Sequence, residues 1–218
     1  MKCKPSASIK SSCKGNTSCT ISKKETRTSH NSISKKFDFT DLAEKGRLQY
    51  FYHSPQSLYP IRDILKHKTE PNIENDAENF DSKCLQKTNI IPFLKSNEKY
   101  LFLFTTCKNT ELGKNYNKKK FIIGYIIKER FKNRYDENGN IFYAVQGKTK
   151  IFSFEDSFEL KKDMKDIYNK KGENNARYFH RSLDEKRTKQ ILEHFNIHKP
   201  INKNILLNDI KKLKQLLK

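Results

Sequence analysis

Tyr100-Leu101-Phe102-Leu103-Phe104-Thr105-Thr106 and Phe121-Ile122-Ile123-Gly124-Tyr125-Ile126-Ile127 are the two stretches on which the reading of this chain turns. Each is a continuous apolar run of strand length, one dense in aromatic residues, the other β-branched with a glycine inside. The connection between them, Lys108 to Lys120, is polar and rich in lysine. Downstream, Phe131–Tyr135 and Ile141–Val145 flank Asp136-Glu137-Asn138-Gly139-Asn140, where Asn-Gly offers the backbone freedom that a hairpin turn needs. Gly147 marks another turn before the alternating Lys150-Ile151-Phe152-Ser153-Phe154. Roughly four or five strands joined by short turns within residues 90–160 predict a small antiparallel sheet or barrel.

Working outward, residues 37–70 predict structure of a more helical kind. Phe37, Phe39, Leu42 and Ala43 precede Leu48-Gln49-Tyr50-Phe51-Tyr52, which Ser54-Pro55 breaks; Thr40 could cap a short helix, and Ile61, Ile64 and Leu65 keep helical spacing after Pro60. Residues 69–83 read as an acidic loop. Toward the end, Ser182-Leu183-Asp184-Glu185 has the form of a capping box opening a helix with Leu183, Ile191, Leu192 and Phe195 on its apolar side, stopped by Pro200. Leu206, Ile210, Leu213 and Leu217 then share one face of a second helix whose other face carries Lys211, Lys212, Lys214 and Lys218. These two C-terminal helices, within 182–218, are expected to cover a sheet face.

Residues 1–36 hold nine Lys/Arg, one acid (Glu25) and thirteen Ser/Thr with no apolar period, the composition of a disordered basic tail. The expected organisation is therefore that tail followed by one α+β domain over 37–218. No run of 18 apolar residues is present, so no membrane span is expected. Five cysteines at irregular spacing argue against a secreted disulfide framework and for a reducing intracellular compartment, cytoplasmic or nuclear.

Charge is the strongest functional signal. Lys+Arg number 45 against 25 Asp+Glu, a net +20 over 218 residues, and such a field attracts polyanions. Lys outnumbers Arg heavily, as an A+T-rich coding sequence would produce, but that bias does not lower the acids to match. The segment from Lys114 to Arg134 concentrates eight basic residues against Glu129 alone. Lys114, Lys118, Lys119, Lys120, Arg130, Lys132 and Arg134, joined by Arg177 and Arg181 of the later Arg-Tyr-Phe-His-Arg patch, are the expected phosphate contacts. Strand alternation would set Phe121, Ile123 and Tyr125 on one face, and an exposed aromatic on a basic sheet can stack an unpaired base.

The order of a strand, a basic connection, Phe121-Ile122-Ile123-Gly124-Tyr125-Ile126-Ile127-Lys128-Glu129, then Phe142–Val145 and a glycine turn resembles the PUA-like superfamily, in particular its EVE and ASCH members. The resemblance covers about residues 90–160. It implies a small antiparallel β-barrel with helices at its rim, binding RNA or a modified base between barrel and helices. Carried over, Phe104, Thr105, Thr106 and Tyr125 would face that pocket, with Tyr178 near its mouth. The chain has no Trp, a residue such modified-base pockets often use.

The expected function is noncatalytic binding of RNA or DNA, without a cofactor. One alternative is a Mg²⁺-dependent nuclease of a defence or restriction system. Glu159-Leu160-Lys161 has the E-x-K form in which a carboxylate holds Mg²⁺ and a lysine orients water, with Asp136 as the upstream acid. A second alternative is a module that docks on an acidic protein. Cys3, Cys13, Cys19 and His30 lack the close pairing of a zinc knuckle, and Cys84 and Cys107 suit small core positions. His53, His180, His194 and His198 show no nucleophile–base spacing, and no glycine-rich phosphate loop occurs.

Overall fold

The computed structural model describes residues 39–50, 52–63, 87–135, 141–161 and 181–216. Its elements in chain order are β1 (Ala43–Tyr50), α1 (Lys87–Lys95), β2 (Glu98–Thr106), β3 (Lys120–Ile127), β4 (Arg130–Tyr135), β5 (Ile141–Gln146), β6 (Thr149–Ile151), β7 (Phe158–Glu159), β8 (Arg181–Leu183), α2 (Glu185–Asn196) and α3 (Lys203–Gln215). The main sheet runs β6-β3-β2-β1-β8, with β7 also on β3, while β4 and β5 form a separate two-stranded ribbon.

β2 sits mid-sheet because it has apolar side chains for both faces, which is why it reads as an unbroken run rather than an alternation. Tyr100, Phe102 and Phe104 face one way, into a core with Leu48, Ile122, Tyr125, Phe152, Leu183 and, from α2, Ile191 and Phe195. Leu101 and Leu103 face the other way, into a core with Phe121, Ile123, Ile126, Phe154, Cys107, Phe93 and Leu94 of α1, and Leu206, Ile210 and Leu213 of α3. The sheet is thus a central layer with helices on both sides.

β3 departs from simple alternation. Leu103 pairs with Gly124 but Phe104 pairs with Ile122, so Ile123 is an extra residue in the ladder. Past this bulge the faces exchange: Tyr125 joins Ile122 on the α2 side, and Ile126 joins Phe121 and Ile123 on the other. The expectation that Phe121, Ile123 and Tyr125 share a face is corrected accordingly. Gly124 is required here, having φ +156° and a Cβ position only 2.1 Å from the Lys150 carbonyl oxygen of β6.

Other expectations are also revised. The sheet is mixed, not antiparallel, since β1 runs parallel to β2 (Gly46↔Tyr100 to Tyr50↔Phe104). No closed barrel forms among the described residues. Residues 43–50 are a strand and not part of a helical lead-in, because Leu48 and Tyr50 find a sheet edge to pair with on β2. Ser182 belongs to β8, and Asp184 caps α2, accepting from the Arg187 backbone N–H at 2.7 Å. The turn following Ser153 leads into β7. The tail, the 69–83 loop and Cys84 lie outside the described residues. The Lys-bearing α3 buries Leu206, Ile210 and Leu213 as the spacing predicts. Among the described residues no helix is long and apolar enough to cross a membrane.

Candidate nucleic-acid interface

The lysine-rich connection between β2 and β3 is a folded loop. Its neck is closed by Cys107 N–H to Lys119 O (2.9 Å) and Lys118 N–H to Cys107 O (2.8 Å), continuing the pairing that ends at Thr106↔Lys120. Within it, Asn117 N–H reaches Gly113 O (3.0 Å) and Lys119 N–H reaches Tyr116 O (3.0 Å). Lys118 holds a left-handed backbone, φ 65°, unusual for a residue with a side chain. Leu112 and Tyr116 lay the underside on the core, and Lys114 and Lys118 point out into solvent.

Two buried polar side chains tie this loop to the segment 52–63. Asn109, 2 % exposed, donates from Nδ2 to Pro55 O (3.0 Å), while its Oδ1 accepts from Glu111 N–H (2.7 Å) and Leu112 N–H (3.3 Å). His53, fully buried, accepts the Lys108 N–H at Nδ1 (3.0 Å) and donates from Nε2 to Tyr59 O (2.9 Å). That pairing requires the neutral ring with its proton on Nε2. Burial, partly opposed by the Tyr59 carbonyl, pushes its pKa down to about 4.

Aromatic side chains gather at the same end of the sheet. Tyr50 at the end of β1 meets Phe104 edge-on (5.1 Å between centroids) and Tyr52 likewise (5.3 Å), and the Lys108 ammonium lies 5.0 Å from the Tyr52 ring centre. Tyr50, Tyr52, Thr106 and Phe158 are half-buried at this end. Tyr50, Tyr52 and Lys108 were not among the residues expected from sequence. The alternation of the two tyrosines about residue 51 is the signal in the sequence that points to them.

The expected site residues are divided by the fold. Lys118, Lys119 and Lys120 stand together, with Lys114 further along the same loop. Thr106 is half-buried on the Tyr50 face of β2, but Phe104 on that face is a core residue, 2 % exposed, and Thr105 is fully buried toward the opposite core, so neither offers a free surface. Tyr125 is 5 % exposed and sealed between Tyr100 and Phe195, so it presents no free ring face. Arg130 follows the far end of β3, with Lys132 and Arg134 beyond it in β4, so the basic segment is split between the strand's two ends. Arg181 pairs with Leu48 on the opposite side of β1 from β2. Arg177, Tyr178 and Asp136 lie outside the described residues. Glu159 is ion-paired with Lys119 at 3.2 Å, and Lys161 is exposed just after β7. Among the described residues no three His, Cys, Asp or Glu side chains are grouped so as to hold a metal ion. Comparison with protein-family models, curated proteins and solved structures finds no match to this chain.

Proposed function

We propose that this protein binds RNA or DNA without catalysis, taking phosphates on the Lys118–Lys120 loop and an unstacked base near the half-buried Tyr50 and Tyr52. The observation that carries this is the ordered lysine-rich loop: Asn109 and His53, both buried, tie it to the segment 52–63, and it holds Lys114 and Lys118 out in solvent beside Lys119 and Lys120. A fixed basic loop of this kind attracts a polyanion, even with Lys119 ion-paired to Glu159. Half-buried rings beside the lysines add surface on which any base can stack. A PUA-like kinship is part of the same proposal, supported by the strand, basic loop, bulged strand and helix-covered face.

The test is fluorescence anisotropy with labelled single- and double-stranded RNA and DNA at several salt concentrations, using the whole chain and a version lacking residues 1–36. The Lys118→Glu, Lys119→Glu, Lys120→Glu triple variant is expected to weaken binding and flatten its salt dependence. Unchanged affinity removes the loop from the account. Cleavage that needs Mg²⁺ and is abolished by Glu159→Gln would replace binding with nuclease action. Capture of an acidic protein that survives nuclease treatment would favour protein docking instead.

A further inference from the structure

β3 separates the loop lysines from a second basic feature. Lys120 opens the strand and Ile127 closes it; seven steps of roughly 3.3 Å put these ends about 23 Å apart. Beyond Ile127, Lys128 turns into the core, and the chain enters β4, Arg-Phe-Lys-Asn-Arg-Tyr, paired with β5, Ile-Phe-Tyr-Ala-Val-Gln. Neither strand contains an acid, and Arg130, Lys132 and Arg134 occupy alternate positions of β4.

Phe131 pairs in register with the fully buried Val145 and meets Phe39 edge-on at 6.5 Å, seating that side of the ribbon on the core. Arg130, Lys132 and Arg134 alternate with Phe131 along β4, in register with the buried Gln146 and with Ala144 and Phe142 of β5. Arg130 is exposed, and so is the neighbouring Lys148. The residue type also matters. Only eight of the 45 basic residues are arginine, so two on one short strand do not follow from the chain's general excess of lysine. Arginine's planar fork suits bidentate contact with phosphate oxygens.

We propose that the β4–β5 ribbon is a second phosphate contact for the same nucleic acid that the Lys118–Lys120 loop engages, so that binding has two anchors separated by the length of β3. This rests on the nucleic-acid reading above. A stacked strand advancing roughly 3.4 Å per phosphate needs about seven nucleotides to reach from one anchor to the other. Shorter ligands engage one anchor only.

The experiment measures affinity of the full chain for a ladder of labelled oligonucleotides of the preferred class, at several salt concentrations. Wild-type affinity should step upward once length passes about seven nucleotides. The Arg130→Gln, Lys132→Gln, Arg134→Gln variant should lose that step, bind long oligonucleotides about tenfold more weakly, and reduce the log–log salt slope by about two, the value for three single-strand phosphate contacts. The charge-keeping Arg130→Lys, Lys132→Arg, Arg134→Lys variant should keep the salt slope and the length step, and bind more tightly than the glutamine variant though less tightly than wild type. If it is weakened as much as the glutamine variant, the loss is structural and the ribbon contact is overturned. Wild-type behaviour of the glutamine variant at every length, with the Lys118–Lys120 variant weakened, overturns the second anchor and leaves the nucleic-acid reading standing. Unchanged binding in both variants overturns both.

Discussion

The Lys128 ammonium donates to the Phe93 carbonyl oxygen at 2.9 Å while lying 4.6 Å from the centre of the same residue's ring. A second bond reaches Ser96 O at 2.8 Å. A lysine leaving the end of β3 thereby satisfies carbonyls at the C-terminal end of α1, where a helix leaves acceptors open and favours a cation. The residue is 1 % exposed, and the Arg47–Glu98 pair (2.7 Å) lies nearby, joining the parallel strands β1 and β2. One of the chain's many lysines is thus a core residue.

Burial pushes the Lys128 pKa down to about 8, with Glu98 opposing and Arg47 adding to the shift. Between about pH 8 and the unfolded value of 10.5, the unfolded chain holds this proton and the folded one does not. Stability should therefore rise with pH across that window, by up to about 3 kcal/mol. Urea unfolding at pH 7 to 10, compared with Lys128→Met, checks this: the variant should lack the increment and be less stable at pH 7 by about 1–3 kcal/mol, having left two buried carbonyls without their donor. Parallel pH profiles for the two proteins would contradict it.

His53 predicts the opposite flank of the pH profile. Its folded pKa of about 4 lies below the unfolded 6.5, so its stabilisation is complete above pH 6.5 and is lost as pH falls toward 4. The loss amounts to about 3 kcal/mol. A proton on Nδ1 also breaks the Lys108 bond, so the basic loop should loosen first. Hydrogen exchange of residues 107–119 at pH 5 against pH 7 measures this, and equal protection at both would refute it.

Asn109→Ala removes the pin between the loop and Pro55. We expect a cost of about 2 kcal/mol from the buried groups left unmatched. Amide exchange should quicken in residues 107–119, with β2 and β3 unaffected. Nucleic-acid affinity should fall as well, because the loop lysines keep their charge but lose their arrangement. Wild-type affinity in this variant would show that the loop acts through charge alone.

Gly124→Ala tests the bulge. The added methyl would stand 2.1 Å from the Lys150 carbonyl oxygen, in a backbone conformation that side chains avoid. Destabilisation should exceed about 3 kcal/mol, by displacing β6 or closing the bulge. A thermal midpoint within a few degrees of wild type would mean that the two strands do not approach so closely.

Much of this architecture was legible in order of chain. The runs at 100–106 and 121–127 are strands, the stretches flanking Asn-Gly pair with each other, and Leu206, Ile210 and Leu213 form a buried face. Local composition suffices there because side-chain period and turn chemistry act over a few residues. The β1 strand was not legible, since its partner β2 lies about fifty residues onward and parallel pairing has no local turn to announce it. The faces of β3 were misassigned for a similar reason: one extra residue in the ladder exchanges every side chain beyond it, and only the partner strand reveals the slip.

By itself the sequence determined the net charge, the strand-forming centre, the aromatic and aliphatic character of the core and the presence of a lysine-rich loop. Each of these is a sum or a short-range pattern. Tertiary structure alone decided that Lys128 is buried, that His53 and Asn109 hold the loop, that Tyr50 meets both Tyr52 and Phe104, and that one basic segment is divided between the two ends of β3. A residue's role there depends on which distant neighbours enclose it, and a chain order cannot state distances across a sheet.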